Sequence, residues 1–293
     1  MMTRSESEMM DLIRNYSEAD DRIRLVIING SRANPNIKKD IFQDYDIACY
    51  VTDVKPYLKE DDVVPYFGET IIYEQPNIGP WPPSDADGSY HNYNMQFVDG
   101  NRIDLSFFHL DKTDQMKKDS LSKVLIDKDG ICKHLEDPSE ESYYISQPTT
   151  EKYKGCCNAF FFAIGSHIPK NIWRRQIPQL KSLLDGWLRV PLHLMLSWEI
   201  GIKKGFNKTI GAGCRHLPHL LDEDRWSLYL ETYVDADIDK IWHAIFVFYE
   251  LFIESAQLVA KEYDFVFPEE SANKVLTFLK HVKNLPNDAE SIY

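Results

Sequence analysis

An Asp-x-Asp pair constrains this chain more than any other feature. Asp44 and Asp46 stand just ahead of an apolar run at 47–51, and an earlier run, Leu25, Val26, Ile27 and Ile28, has strand composition and delivers a Gly30-Ser31 turn. Successive side chains of a strand alternate faces, so Asp44 and Asp46 project from one face while Tyr45 and Ile47 take the other. Two carboxylates on one face repel unless a cation sits between them. Hard oxygen ligands at that spacing suit magnesium, held partly by the phosphates of a substrate.

With 293 residues, 43% hydrophobic and 13% aromatic, the chain can build one large core or two. Lys plus Arg number 33 against 46 for Asp plus Glu, a formal charge of -13, which argues against a nucleic-acid surface or an anchor to anionic membrane. It is compatible with a cationic partner, although charge alone selects no substrate. Glu6, Glu8 and Asp11 crowd the N-terminus where a secretory leader would carry basic residues, and no uncharged apolar run approaches the ~20 residues of a membrane span. The five cysteines include no C-x-x-C pair, so the expectation is a cytoplasmic protein with reduced thiols, Cys156 and Cys157 among them as small core residues.

Ser5 to Glu8 has capping-box spacing and is followed by Met9, Leu12, Ile13 and Tyr16 at helical intervals. Residues 53–67 are mixed, and 70–73 are strand-like. Four prolines and two glycines within 76–88 predict an irregular surface loop, with Asp85 and Asp87 as candidate contacts to a cationic ligand. The runs at 93–98 and 102–108, separated by Asp99-Gly100-Asn101, predict a hairpin, and 123–128 a further strand. Residues 136–148 are polar enough to be a linker. Beyond Thr149 the pattern turns helical. Tyr153, Cys157, Phe160, Phe161 and Ile164 form one stripe, and Leu180, Leu183, Leu184, Trp187 and Leu188 a second, with breaks expected near Pro178 and Pro191. Ile241, Ile245, Phe248, Phe252 and Val259 mark a long apolar helix, and Pro268 opens a last one.

In the second hairpin strand Arg102, Asp104 and Ser106 share a face, so a third acid interrupts an otherwise apolar run. A solvent-facing residue on an edge strand would explain Asp104 by itself; beside Asp44 and Asp46 it completes a metal-and-base cluster. Gly30-Ser31 lets backbone amides approach a phosphate, Ser31 adds a hydroxyl, and Arg32, Lys38 and Lys39 are nearby cations.

This combination resembles the DNA polymerase β-like nucleotidyltransferase superfamily, and more closely its aminoglycoside 6-adenylyltransferases, the streptomycin-modifying branch. The likeness rests on Asn29-Gly30-Ser31-Arg32, the segment from Asp40 through Asp44-Tyr45-Asp46-Ile47, the segment from Asp99 through Asp104-Leu105, Cys156-Cys157-Asn158, Trp173-Arg174, and Met195-Leu196-Ser197-Trp198-Glu199-Ile200-Gly201. It implies an α+β fold in two domains: a nucleotidyltransferase domain at 1–135, with a mixed sheet flanked by helices, and a helical substrate-binding bundle at 149–293. It also implies transfer of AMP from ATP to an aminoglycoside hydroxyl, with streptomycin the first candidate, and thereby antibiotic resistance. Asp44, Asp46 and Asp104 would be the catalytic and magnesium-holding residues. Gly30, Ser31, Arg32 and Lys181 would contact the nucleotide, and Lys170 and Arg174 the substrate or its phosphates. ATP and a cationic aminoglycoside are the implied partners, with no nucleic acid, membrane or protein partner. The chain departs from the family where Asn158-Ala159-Phe160-Phe161-Phe162 stands for Asn-Glu-Phe-Trp-Trp, and where Gly211-Ala212-Gly213-Cys214-Arg215 lacks lysines. A different small-molecule or protein acceptor, or a non-catalytic nucleotide-binding homologue, are the alternatives.

Overall fold

The computed structural model describes residues 2–74, 88–116, 118–133 and 135–293. The Pro-rich stretch at 76–87, with Asp85 and Asp87, lies outside the described residues. The chain divides into two compact units, Met1–Ser142 and Tyr143–Tyr293.

The first unit opens with helix α1 (Glu6–Ala19). Ser5 Oγ accepts the Glu8 amide at 3.3 Å while Glu8 Oε2 accepts the Ser5 amide at 2.7 Å, so the expected capping box satisfies two end groups reciprocally. Six strands follow: β1 (Ile23–Asn29), β2 (Tyr45–Val51), β3 (Thr70–Glu74), β4 (Tyr90–Phe97), β5 (Arg102–His109) and β6 (Ser122–Asp127). Helix α2 (Glu60–Phe67) lies between β2 and β3, and the short α3 (Thr113–Met116) between β5 and β6. The sheet order is β3-β4-β5-β2-β1-β6. Only β2 and β5 run parallel; the other neighbours are antiparallel, so the sheet is mixed.

Period-two alternation gives this sheet two unequal faces. Ile28, Ile47, Tyr93, Ile103 and Leu105 join Met9 and Ile13 of α1 in the larger core. Leu25, Ile27, Ala48 and Tyr50 form a smaller cluster on the other face. Continued along that second face, the ladder reaches a polar rung running across all six strands: Ser122, Asn29, Asp46, Asp104, Asn94 and Glu74 are successive register partners. Asp104 is thus on an interior strand, not an edge.

The second unit is helical: α4 (Thr150–Phe162), α5 (Ile168–Trp173), α6 (Ile177–Leu183), α7 (Arg189–Lys204), α8 (Leu217–Leu220), α9 (Glu223–Leu230), α10 (Ile238–Tyr263) and α11 (Glu269–Lys283). The expected stripes are buried, including Phe160 stacked on Phe252 at a centroid distance of 3.8 Å. Trp187 is the exception, 58% exposed. A π-helical turn at Leu184–Leu188 inserts an extra residue, which rotates Trp187 off the stripe and leaves Leu188 on it. The chain breaks before α6, where Pro178 occupies the first turn, and the π-turn precedes Pro191 at the start of α7. At 26 residues α10 is long and apolar enough by length and composition to cross a membrane, although its apolar run carries Glu250 and Glu254 and so is not an uncharged stretch. Its Ile241, Ile245, Phe248, Phe252 and Val259 lie in the helical core.

Glu199, 2% exposed on α7, ties three helices together. Arg225 of α9 donates to its Oε2 at 2.7 Å, Ser255 of α10 at 2.5 Å, and Lys203 to Oε1 at 2.8 Å. Burial pushes the Glu199 carboxyl up, but Arg225, Lys203 and Ser255 outweigh it and hold the group below its usual range. Glu199→Ala would remove the buried one of Arg225's two carboxylate partners and leave it the exposed Glu254 at 2.5 Å, and we expect it to cost about 3 kcal/mol in urea unfolding. A loss under about 1 kcal/mol would mean that the network contributes no more than a surface pair.

Candidate active site

Strand β1 ends at Asn29, and the next three residues, Gly30–Arg32, form a 3-10 turn. Gly30 has φ +68°, and a Cβ there would fall 2.5 Å from Asp46 Oδ2. Only glycine gives this turn both the left-handed backbone and the room for the acid beside it. The Gly30 amide donates to the Leu121 carbonyl at 3.1 Å, while the Gly30 carbonyl accepts the amides of Ala33 and Asn34.

The Arg32 side chain folds back onto the approach to β2. It donates to the carbonyls of Asp44 at 2.9 Å and Gln43 at 2.7 Å, and its guanidinium lies 3.6 Å from the Tyr45 ring centroid. It therefore reaches the acids through the backbone that carries Asp44. Lys39 pairs with Glu6 at 2.8 Å, and Lys38 is exposed.

One carboxylate oxygen from each of Asp44, Asp46 and Asp104 lies within 4.8 Å of the other two. Arg102, two residues before Asp104 on the same face, clasps it in two hydrogen bonds of 2.8 and 2.6 Å and lies 4.0 Å from Asp44 Oδ2. One guanidinium faces three acids, and Asp46 carries the imbalance. Burial first, then Asp44 and Asp104, push its carboxyl up from 3.8 to about 6. Three converging hard oxygen donors, one held half-buried against its neighbours' charge, fit a divalent cation such as magnesium.

Beside the acids on the rung, Asn29 Nδ2 donates to Ser122 Oγ at 2.7 Å and to Asp119 at 3.4 Å. Sequence reasoning passed over Ser122 and Asp119 and gave Asn29 no role beyond its place in the Asn29–Arg32 motif, since no local pattern announces that β6 pairs with β1. Arg102 was legible as a same-face neighbour of Asp104, but not as its clasp.

The four cations that the sequence singles out in the helical unit border three cavities. Lys181 donates to the Val234 carbonyl at 2.6 Å and borders a cavity with Asp185, Arg189, His193 and Tyr233. Lys170 and Arg174 border another with Trp173 and Phe278. Arg215 borders a third with Trp226 and Tyr229.

A mixed sheet that presents a Gly-Ser turn against three convergent carboxylates has the layout of a nucleotidyltransferase. The chain belongs to the streptomycin adenylyltransferase family, whose model matches residues 3–282. It is 32% identical over 268 residues to an aminoglycoside 6-adenylyltransferase of Bacillus subtilis, covering 91% of this chain and 94% of that one. A Campylobacter jejuni protein of the same name is 32% identical over 266 residues, covering 90% and 91%. Among solved structures, an aminoglycoside 6-adenyltransferase from Bacillus subtilis matches at 26% identity with a TM-score of 0.47, over 96% of this chain and 100% of that one.

Proposed function

We propose that this enzyme transfers AMP from ATP to a hydroxyl of an aminoglycoside, streptomycin being the first to try, and that it requires magnesium. The observation that carries the reading is the meeting of Asp44, Asp46 and Asp104 beside the Gly30-Ser31 turn. The names of the relatives support the acceptor class.

In the reaction an acceptor oxygen attacks the α-phosphorus, a new P–O bond forms, the bond to pyrophosphate breaks, and the hydroxyl proton passes to a carboxylate of the cluster. Magnesium held by Asp44, Asp46 and Asp104 would neutralise charge gathering on the phosphates. Gly30 leaves room for the Asp46 carboxylate, and Ser31 offers an amide and a hydroxyl to a phosphate. Arg32 holds the Asp44 backbone, and Arg102 fixes the Asp104 carboxylate in plane. Geometry of this kind is worth orders of magnitude, because a misplaced carboxylate forfeits orientation as well as charge.

Radiolabelled ATP offered with a panel of aminoglycosides is expected to label streptomycin and release pyrophosphate. Label on a cellular protein and on no aminoglycoside would overturn the acceptor class while leaving the nucleotidyl chemistry. Removal of divalent metal with EDTA is expected to abolish transfer and added magnesium to restore it. Full activity in excess chelator would exclude the metal role.

A further inference from the structure

Within the helical unit, α5, α11 and the segment after α11 enclose a cavity of about 340 Å³, a volume suited to a small molecule. The segment folds back onto both helices. Trp173 of α5 donates its indole N–H to the Pro286 carbonyl at 3.0 Å, and the Ala289 amide returns to that carbonyl at 3.2 Å. Tyr293 stacks on His281 of α11 at a centroid distance of 4.6 Å, and His281 Nε2 hydrogen-bonds to the Ile292 carbonyl. Leu285 and Ile292 thereby join Phe278 and Val282 of α11, and half-buried Trp173, in an apolar wall. Leu285 and Ile292 stand after residue 282, where the family match ends, so part of this wall lies outside the shared pattern.

Two cations border that wall. Lys170 and Arg174 stand one helical turn apart, both are exposed, and among the described residues neither side chain enters an ion pair or a hydrogen bond. Glu290, the one carboxylate among the described lining residues, pairs with neither. Like charges at this spacing repel. The partial negative charge at the C-terminus of α5 favours a cation there, but it does not account for two of them beside an apolar hollow. The hydroxyls of the lining are already engaged, Ser166 with the Phe162 carbonyl and Ser291 with the Tyr293 carbonyl, so the cations are the polar groups open to a ligand. A neutral apolar ligand would leave Lys170 and Arg174 unanswered, an inorganic anion would leave the wall wet, and a cation would be repelled. An anion with an apolar body satisfies both halves of the lining.

We propose that this cavity binds a medium-chain acyl carboxylate, its head group between Lys170 and Arg174 and its chain against Trp173, Phe278, Val282, Leu285 and Ile292. The Arg174 guanidinium can hold a carboxylate through two parallel N–H donors, and Lys170 adds a point charge. The two cations that the family resemblance linked to substrate or phosphate thus serve a different anion. Every lining residue belongs to the second unit, and the inference stands independently of the AMP-transfer reading.

Isothermal titration of the full chain with sodium octanoate is expected to show saturable binding. Octanol, which lacks the charge, and acetate, which lacks the chain, should each bind at least about tenfold more weakly. The double variant Lys170→Gln with Arg174→Gln should lose about tenfold or more in octanoate affinity. Both side chains are exposed, so the fold should survive, and the melting temperature checks that. Ile292→Asn, at another exposed position, should weaken octanoate through the wall alone. The place of binding is read with 8-bromooctanoate, whose bromine quenches a tryptophan that it touches. Quenching should be strong in the parent and largely lost in Trp173→Phe, while titration still records binding to that variant. Absence of saturable octanoate binding, octanol or acetate bound as tightly as octanoate, or unchanged octanoate affinity in the double variant would each overturn the proposal. Quenching that survives Trp173→Phe would place the acid elsewhere and overturn it too.

Discussion

Asp46→Asn is expected to lower turnover by a factor on the order of a thousand, because the half-buried carboxylate beside Asp44 and Asp104 can no longer hold a cation against developing charge. The same substitution should stabilise the metal-free protein. Its carboxyl is raised to about 6 in the fold, against about 3.9 in an unfolded chain. Below about pH 4 both states are protonated and the group costs nothing; the penalty grows as pH rises to about 6 and is constant above that. Relief on the order of 2 kcal/mol at neutral pH follows. Thermal melts in EDTA should therefore show the variant above the parent at pH 7 and the two converging near pH 4. A lower melting temperature for the variant at pH 7 would contradict the charge imbalance, and near-normal turnover would contradict the metal role.

Gly30→Ala is expected to be nearly as damaging by a different route. The left-handed backbone costs an alanine about 1–2 kcal/mol. Its Cβ would also sit 2.5 Å from Asp46 Oδ2, so the carboxylate must move. Gly100 provides the comparison, with φ +91° and no atom within 4 Å of an added Cβ. Both variants should lose similar stability in urea, but only Gly30→Ala should lose turnover, by about a hundredfold or more, as expected when a catalytic group is displaced by around an ångström. Equal turnover losses would reduce Gly30 to a matter of backbone strain.

Much of this was legible because it is local. Ser5 and Glu8 announce the start of α1, the Asp99-Gly100-Asn101 hairpin puts β4 beside β5, and strand alternation puts Asp44 with Asp46 on one face and Asp104 with Arg102 on another strand's matching face. What escaped depends on partners distant in sequence or on small departures from regular geometry. The hold of Arg32 on carbonyls eleven and twelve residues further on is one such pairing. The pairing of β6 with β1, and with it the roles of Asn29, Ser122 and Asp119, has no local signature. Trp187 fell outside its stripe because one π-turn changes the helical period that the stripe assumes.

The six-residue rung also bears on how the enzyme can be counted. A slip of β2 by one residue would carry Tyr45 or Ile47 to the polar side and Asp46 into the apolar core, so faulty register and lost chemistry arrive together with lost packing. No compact, well-packed but inert form of this sheet is then available to contaminate a preparation. In a refolding series the number of competent centres, counted by a single-turnover burst, should follow the native fraction reported by near-ultraviolet circular dichroism, molecule for molecule.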